Sequence, residues 1–128
     1  HTCACLAGEP DRFHSARQIS EKLGFSAHHF AKVVQQLVRA GLLETERGPA
    51  GGAKLARPPD TITLLEIYVA AGDSPDTKGC LLKHDICDGK SCALGKLMAA
   101  ENRRLLALLR TTTLASVVRS LKRNRKDP

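Results

Sequence analysis

Two stretches in the first third of the chain carry apolar residues at the spacing of an amphipathic helix. Ser15 begins a Ser-Ala-Arg-Gln capping box, and the helix that follows places Ile19 on its apolar face and ends at Gly24. Ser26 is in position to cap a second helix over 27–40, where apolar residues recur every three or four positions. A three-residue turn separates the two helices, which predicts a helix-turn-helix, although an ordinary αα-corner has the same spacing.

A basic hairpin is predicted directly after the second helix. Residues 42–46 (LLETE) predict a strand, RGPAGG a turn, and 53–56 (AKLA) a return strand. The turn contains three glycines, which supply the backbone freedom that a tight hairpin needs. Because a basic hairpin after a helix-turn-helix is typical of a wing, the segment favours a winged helix-turn-helix over an αα-corner. Two prolines then exclude helix, and a second capping box at Thr63 opens a helix over 64–71.

The second half of the chain predicts one long helix over about 93–110, rich in leucine. Its apolar stripe either packs against the first helix or binds a partner chain, and we expect a partner chain because a single small winged domain needs less apolar surface. Thr113 is in position to cap a last short helix over 114–121. We therefore expect a mainly α fold with a small β-hairpin. Its predicted parts are a winged helix-turn-helix domain (1–72), a cysteine loop (73–92), a dimerisation helix with a terminal helix (93–121) and a basic tail (122–128).

Composition narrows the class of protein. With 3% aromatic residues and no Trp, the core of this 128-residue chain must be aliphatic, which favours helices. Twenty Lys and Arg against thirteen Asp and Glu give a net charge of +7, a weak indication of nucleic acid as the partner. No apolar run approaches the ~20 residues of a membrane span, and no secretory leader is present, so we expect no membrane partner. The chain starts at His1 inside an apolar segment, from which we expect that residues precede it.

Three of the five cysteines fall within thirteen residues, in a polar loop. Cys80, Cys87 and Cys92 are separated by six and four residues, and thiolates gathered on one loop suit a soft metal centre. A structural zinc site usually has four ligands and Cys-x-x-Cys pairs, so these three could also be free thiols or an atypical zinc site. The candidates for a fourth ligand are His84, Asp85 and Asp88.

The odd number of cysteines fits a disulfide framework poorly and favours reduced thiols in the cytoplasm. Cys3 and Cys5 are two positions apart, on different faces of a helix, so they cannot easily share a metal ion. We expect both to be small core residues.

These segments together resemble the winged helix-turn-helix regulators that carry iron–sulfur clusters, the IscR, NsrR and RirA type, from residue 1 to about 121. The resemblance is carried by SAHHFAKVVQQLVRAGLLE, by the wing ERGPAGGAKLARPPDTITLLEI, by the cysteine loop and by TTTLASVV. HHFAKVVQQL is most similar to the nitric-oxide-sensing NsrR branch. The last inter-cysteine gap is about one residue shorter than is typical of the family, and some relatives draw a fourth ligand from the partner subunit's first helix.

The resemblance implies a homodimeric transcriptional repressor that binds a near-palindromic operator in double-stranded DNA. It further implies a [2Fe–2S] or [4Fe–4S] cluster held by the three loop cysteines, whose state responds to nitric oxide, oxygen or iron and changes operator binding. We expect no enzymatic activity and no small-molecule substrate. The alternatives are a clusterless winged-helix regulator that senses through thiols, and a thiol or iron–sulfur redox protein. The sequence has no Cys-x-x-Cys and no nucleophile motif, which disfavours the redox protein.

The candidate DNA contacts come from three places. At the exposed start of the second motif helix, side chains reach base edges or phosphates. On the wing, Arg47 is predicted to enter the minor groove, while Lys54 and Arg57 contact phosphates. At the start of the first motif helix, Ser15 and Arg17 touch backbone phosphate. The candidates on the second motif helix are Ser26, Ala27, His28, His29 and Lys32.

Overall fold

A computed structural model describes residues 1–72 and 92–124 of the chain. Within these ranges the elements follow one another as three helices, a hairpin and three further helices. The helices are α1 (Thr2–Leu6), α2 (Ala16–Leu23), α3 (Ala27–Arg39), α4 (Leu64–Ala70), α5 (Ala93–Thr111) and α6 (Leu114–Asn124), and the strands are β1 (Leu43–Glu46) and β2 (Gly52–Leu55). The predicted mainly α fold with a small hairpin is confirmed.

The helix-turn-helix is formed by α2 and α3, and its ends are set by the predicted caps. The Ser15 hydroxyl accepts a hydrogen bond from the Gln18 amide at 3.2 Å, and the Ser15 amide donates to Gln18 Oε1 at 3.0 Å. Gly24 closes α2 with φ of +70°, a left-handed conformation that favours glycine. The Ser26 hydroxyl then accepts from the His29 amide at 3.2 Å and starts α3.

The wing is an antiparallel pair of strands in which Leu43 faces Leu55 and Glu46 faces Gly52. The return strand also pairs with His14, because the amides of His14 and Ala53 each donate to the other's carbonyl at 2.9 Å. At Gly52, with φ of +143°, an added Cβ would lie 2.1 Å from the His14 carbonyl oxygen. This glycine is therefore required by the close approach of two backbones, beyond the turn flexibility that the sequence suggested.

The core is aliphatic, as composition indicated, and it includes residues from both ends of the chain. Its members are Cys3, Leu6, Ala7, Ile19, Phe30, Leu37, Leu42, Leu43, Ala53, Leu55, Ile62 and Leu114. Leu114, at the start of α6, belongs to the same core as the helix-turn-helix, and α6 packs on α1. The C-terminal segment is thus partly built into the winged domain.

The end of α5 and the start of α6 are joined to the segment that precedes α4. The Leu64 amide donates to the Thr112 carbonyl at 2.9 Å, and the Leu114 amide donates to the Ile62 carbonyl at 2.8 Å. α5 packs along α4 on one face, where Leu106 and Leu109 are half-buried. Leucines on a neighbouring face of α5 are exposed. Among the described residues, no helix combines the length and the apolar character that a membrane crossing requires.

Candidate nucleic-acid interface

The start of α3 presents an exposed polar surface. Phe30 and Leu37 anchor the opposite side of this helix in the core, so His28 and Lys32 point away from it. Ser26 and Ala27 are also exposed, at the first turn. The structure thus places these four predicted residues together. They lie at the end of a motif helix that reaches base edges in the major groove.

The two adjacent histidines have different surroundings. The His29 ring contacts the Phe25 ring edge-on, with ring centroids 5.5 Å apart. His29 also lines a cleft of about 360 Å³ with Val33 and Gln36, beside α1 and α4. His29 therefore lies at the flank of the exposed surface, and His28 is the histidine at its centre.

Arg39 is a candidate that sequence reasoning missed. It follows Lys32 by seven residues, about two helical turns, and is exposed on the same side of α3 as Gln35. The signal was present in the sequence as helical spacing. Its position in the last turn of α3, however, also suits a favourable interaction with the helix dipole, which is a structural role.

The wing tip carries one basic side chain. Arg47 follows β1 directly and is exposed, as are the neighbouring residues of the turn. Among the described residues, neither Arg47 nor Lys32 forms an ion pair. Neither cation would have to leave a described carboxylate in order to meet a phosphate or a groove edge.

The two other basic residues of the wing are already paired. Lys54 Nζ lies 2.9 Å from Glu44 Oε1 on the neighbouring strand and 4.7 Å from the centroid of the Phe13 ring. The hydrogen bond to Glu44 raises the pKa of Lys54. Arg57 Nη2 donates to Glu66 Oε1 at 2.6 Å. The predicted phosphate contacts of Lys54 and Arg57 would therefore compete with these carboxylates.

Glu66 is the centre of a small network at the start of α4. Its Oε2 accepts from the Thr63 amide at 2.8 Å and from the Thr63 hydroxyl at 3.0 Å. The bond from the Thr63 amide, then the bond from Arg57 and then that from the Thr63 hydroxyl lower the pKa of Glu66. Arg57 thus supports the second capping box, a role that sequence reasoning did not assign to it.

The first motif helix contributes the remaining predicted contacts. Ser15 caps α2 and lines a cleft of about 570 Å³ together with Pro49, Ala50 and Gly51 of the wing turn. The structure therefore brings the start of α2 next to the wing. Arg17 Nε lies 2.8 Å from Glu21 Oε1, in a pair that is largely exposed and thus of small stability.

Of the three predicted cluster ligands, only Cys92 lies within the described residues. It is the N-cap of α5, half-buried and not in a disulfide, and its Sγ accepts from the Gly95 amide at 3.4 Å. Cys80 and Cys87 lie outside the described residues, as do His84, Asp85 and Asp88. Across residues 1–72 and 92–124, no group of three or more His, Cys, Asp or Glu side chains is placed to hold a metal ion.

The two N-terminal cysteines differ in burial. Cys3 is buried in the core, as predicted, and burial raises the pKa of its thiol. Cys5 is only half-buried and lines a groove with Leu23 and Val118, so the prediction of a core residue holds for it in part.

The sequence matches the model of the Rrf2 family, described as iron-dependent transcriptional regulators, over residues 1–120. This chain belongs to the Rrf2 family. Relatives include BadM of Rhodopseudomonas palustris, named as an HTH-type transcriptional regulator, with 35% identity over 123 residues, which are 94% of this chain and 76% of BadM. The HTH-type transcriptional regulator IscR of Vibrio vulnificus is 30% identical over 100 residues, which are 78% of this chain and 60% of IscR.

Solved structures confirm the fold of this Rrf2 protein. CymR, the global cysteine regulator of B. subtilis, superposes with a TM-score of 0.73 at 24% identity, over 92% of this chain and 88% of CymR. IscR of T. potens gives a TM-score of 0.72 at 23% identity, over 94% of this chain and 80% of IscR. Membership in the Rrf2 family confirms the predicted resemblance and shows that the chain is a DNA-binding transcriptional regulator and not an enzyme.

Proposed function

We propose that this Rrf2 protein is a cytoplasmic repressor that binds a near-palindromic operator as a homodimer. The observation that carries the proposal is the exposed surface of α3, with His28 and Lys32 at its centre, beside a wing whose Arg47 has no ion-pair partner among the described residues. Two such surfaces would enter successive major grooves about 34–36 Å apart. Arg47 would then reach the minor groove, and Lys32 a phosphate or a guanine.

The finer part of the proposal is that the cysteine loop controls operator binding through an iron–sulfur cluster. The family is described as iron-dependent. A cluster would supply an iron centre bound by the loop thiolates, and its loss or oxidation would change their coordination. Cys92 fits a ligand, because it is half-buried, is not in a disulfide and is positioned by the first turn of α5. A change at Cys92 would reach the DNA-binding domain through α5, which is joined by hydrogen bonds to the segment ahead of α4.

A second candidate is a regulator without a cluster, in which the loop thiols respond directly to oxidants. The observation behind it is that Cys92 is half-buried and not in a disulfide, so that its thiol is partly accessible to an oxidant. An anaerobic absorption spectrum separates the two candidates, since a cluster gives visible charge-transfer bands and thiols do not.

The test compares the anaerobically reconstituted protein with a variant in which Cys80, Cys87 and Cys92 are all replaced by Ser. We expect the triple variant to lack visible bands and to bind operator DNA with affinity changed by about 10-fold, within the usual range of 1–3 kcal/mol for coupling between sites. Cys5→Ser, at a half-buried cysteine outside the loop, is the control and should leave the spectrum unchanged. Equal operator affinity and sequence preference in the reconstituted protein and the triple variant would rule out control by the loop.

A further inference from the structure

A concave groove lies between α1, the end of α2 and α6. Its volume is about 360 Å³, and most of the side chains that line it are apolar. Volumes of about 300–1,000 Å³ and mostly apolar linings are typical of sites that bind small molecules. Leu121 is 49% exposed here, so apolar surface is available to a ligand. We call this site the α6 groove, and the residues that form its apolar lining are Ala4, Cys5, Leu23, Val118 and Leu121.

Two exposed lysines also line the α6 groove, Lys22 from α2 and Lys122 from α6. Neither ammonium group forms an ion pair with a described residue. Glu9 is close enough to Lys22 for their charges to interact, but its carboxylate is paired with Arg12 at 3.1 Å. The described residues that line the groove include no Asp or Glu. The groove therefore combines an apolar lining with positive charge.

Two other clefts of the protein lack this combination. The cleft of about 650 Å³ between α3 and α4 contains Arg39 together with Glu66, so charges of both signs are present. The cleft beside His29 is lined by neither Lys nor Arg. Of these three sites, the α6 groove is the one suited to an anion with an apolar body.

We infer that the α6 groove binds a medium-chain alkyl carboxylate. The alkyl chain would lie against Leu23, Val118 and Leu121, and the carboxylate would meet the two lysines. Each methylene group that leaves water favours binding, and exposed ammonium groups add a smaller electrostatic contribution. The apolar lining is aliphatic apart from one thiol, which favours an alkyl chain over an aromatic ring.

The groove is next to the helix-turn-helix. Leu23 is the last residue of α2, and Gly24 then turns the chain towards α3. Leu23 and Val118 also pack against the core. A bound alkyl carboxylate would thus contact both α6 and the first motif helix. The inference depends on neither the cluster nor the operator, and it adds a binding site to the proposed function.

The thiol of Cys5 reports whether the groove is occupied, since it lines the groove and is half-buried. The full chain is treated with iodoacetamide at increasing concentrations of octanoate and then digested with trypsin. Mass spectrometry of the peptide that ends at Arg12 follows Cys5, and fragment ions separate it from the buried Cys3. We expect octanoate to slow the alkylation of Cys5 and to leave that of Cys92 unchanged.

Octan-1-ol, which has the same chain and no charge, tests the role of the lysines. It should need a concentration about 3- to 10-fold higher than octanoate for half-maximal protection of Cys5, as expected for two exposed ammonium groups. Replacing both lysines, by Lys22→Gln and Lys122→Gln, should raise the octanoate value to that of octan-1-ol. Lys96→Gln is the matched control, because it removes an exposed lysine on α5 outside the groove, and it should change neither value.

The apolar lining has its own test. Leu121→Ala should raise the concentration for half-maximal protection by about 2- to 5-fold for both probes, because both lose the same apolar contact. Equal values for octanoate and octan-1-ol in the wild type would overturn the preference for a carboxylate. Failure of octanoate to protect Cys5 at every concentration at which circular dichroism shows a folded protein would overturn the site. So would equal slowing of Cys5 and Cys92. Each of these results leaves the proposed operator binding intact, because that binding is measured separately.

Discussion

At the scale of single residues, the structure divides the basic side chains of the DNA-binding domain by their partners. Arg47 and Lys32 have no ion pair with a described residue, whereas Lys54 and Arg57 are held by Glu44 and Glu66. The sequence alone cannot make this division, because each pairing depends on a strand register or on a contact nine residues away. All four remain predicted DNA contacts, but the paired ones have a second role in the fold.

This difference predicts unequal effects of alanine substitutions on DNA binding. Arg47→Ala should weaken operator binding about 3- to 10-fold and reduce the salt dependence by the equivalent of about one cation, without loss of stability. Lys54→Ala should have a smaller effect on binding, because the ammonium of Lys54 is already paired with Glu44 in the free protein. Fluorescence anisotropy across a salt series measures both. A larger loss of affinity for Lys54→Ala than for Arg47→Ala would contradict the division.

At the scale of elements, the caps are where sequence and structure agree best. Ser15, Ser26 and Thr63 were each identified from a local pattern, and each accepts the expected amide hydrogen bond. A cap involves residues two or three positions apart, so its pattern can be recognised in the sequence alone. Ile62 and Leu114 lie 52 positions apart in the 128-residue chain, so no local pattern in the sequence indicated that they are joined.

The cap of α4 predicts a dependence of stability on pH. The pKa of Glu66 is lowered in the folded protein, so its stabilisation is present above the ordinary pKa near 4.5 and is lost as the pH falls below it. Glu66→Gln should therefore lower the free energy of unfolding by up to about 1 kcal/mol at pH 7, a modest amount because the Arg57 pair is partly exposed. The gap to wild type should narrow as the pH falls below about 4.5 and close only once the pH is below the lowered pKa of Glu66.

Urea unfolding at several pH values measures this gap. Asp60→Asn is the matched control, because it removes an exposed carboxylate that forms no ion pair with a described residue. It should leave the pH dependence as it is in wild type. A gap between wild type and Glu66→Gln that stays constant as the pH is lowered from 7 to well below 4.5, for as long as both proteins remain folded, would show that the ionised form of Glu66 is not the source of the stabilisation.

At the scale of the whole molecule, the order and type of elements followed from the sequence, and so did the family. The helical spacing, the caps and the glycine-rich turn are local signals, and they placed the helix-turn-helix and wing within about one residue. The reason for Gly52 and the place of α6 in the core were not predicted, because they depend on His14 and on Leu6 and Ile19, which are distant along the chain.

The shared core predicts that the C-terminal segment stabilises the DNA-binding domain. Leu114→Ala should lower the free energy of unfolding by about 2–5 kcal/mol, since it leaves a cavity among buried side chains. Leu121→Ala, on the same helix but half-exposed, should cost less than about 1 kcal/mol. Chemical denaturation measures both. Equal losses would mean that α6 does not belong to the core.

The hydrogen-bonded junction of Ile62 and Leu114 also holds one end of α5, so the length of this helix determines how a rotation at the junction relates to a displacement of Cys92. α5 has 19 residues and is therefore roughly 28 Å long, with Thr112 held at one end and Cys92 at the other. A rotation of about 5° at the held end would displace Cys92 by roughly 2.4 Å over that length. Under the proposed function, a shift of atomic size at the Cys92 sulfur would therefore correspond to a rotation of only a few degrees at the junction.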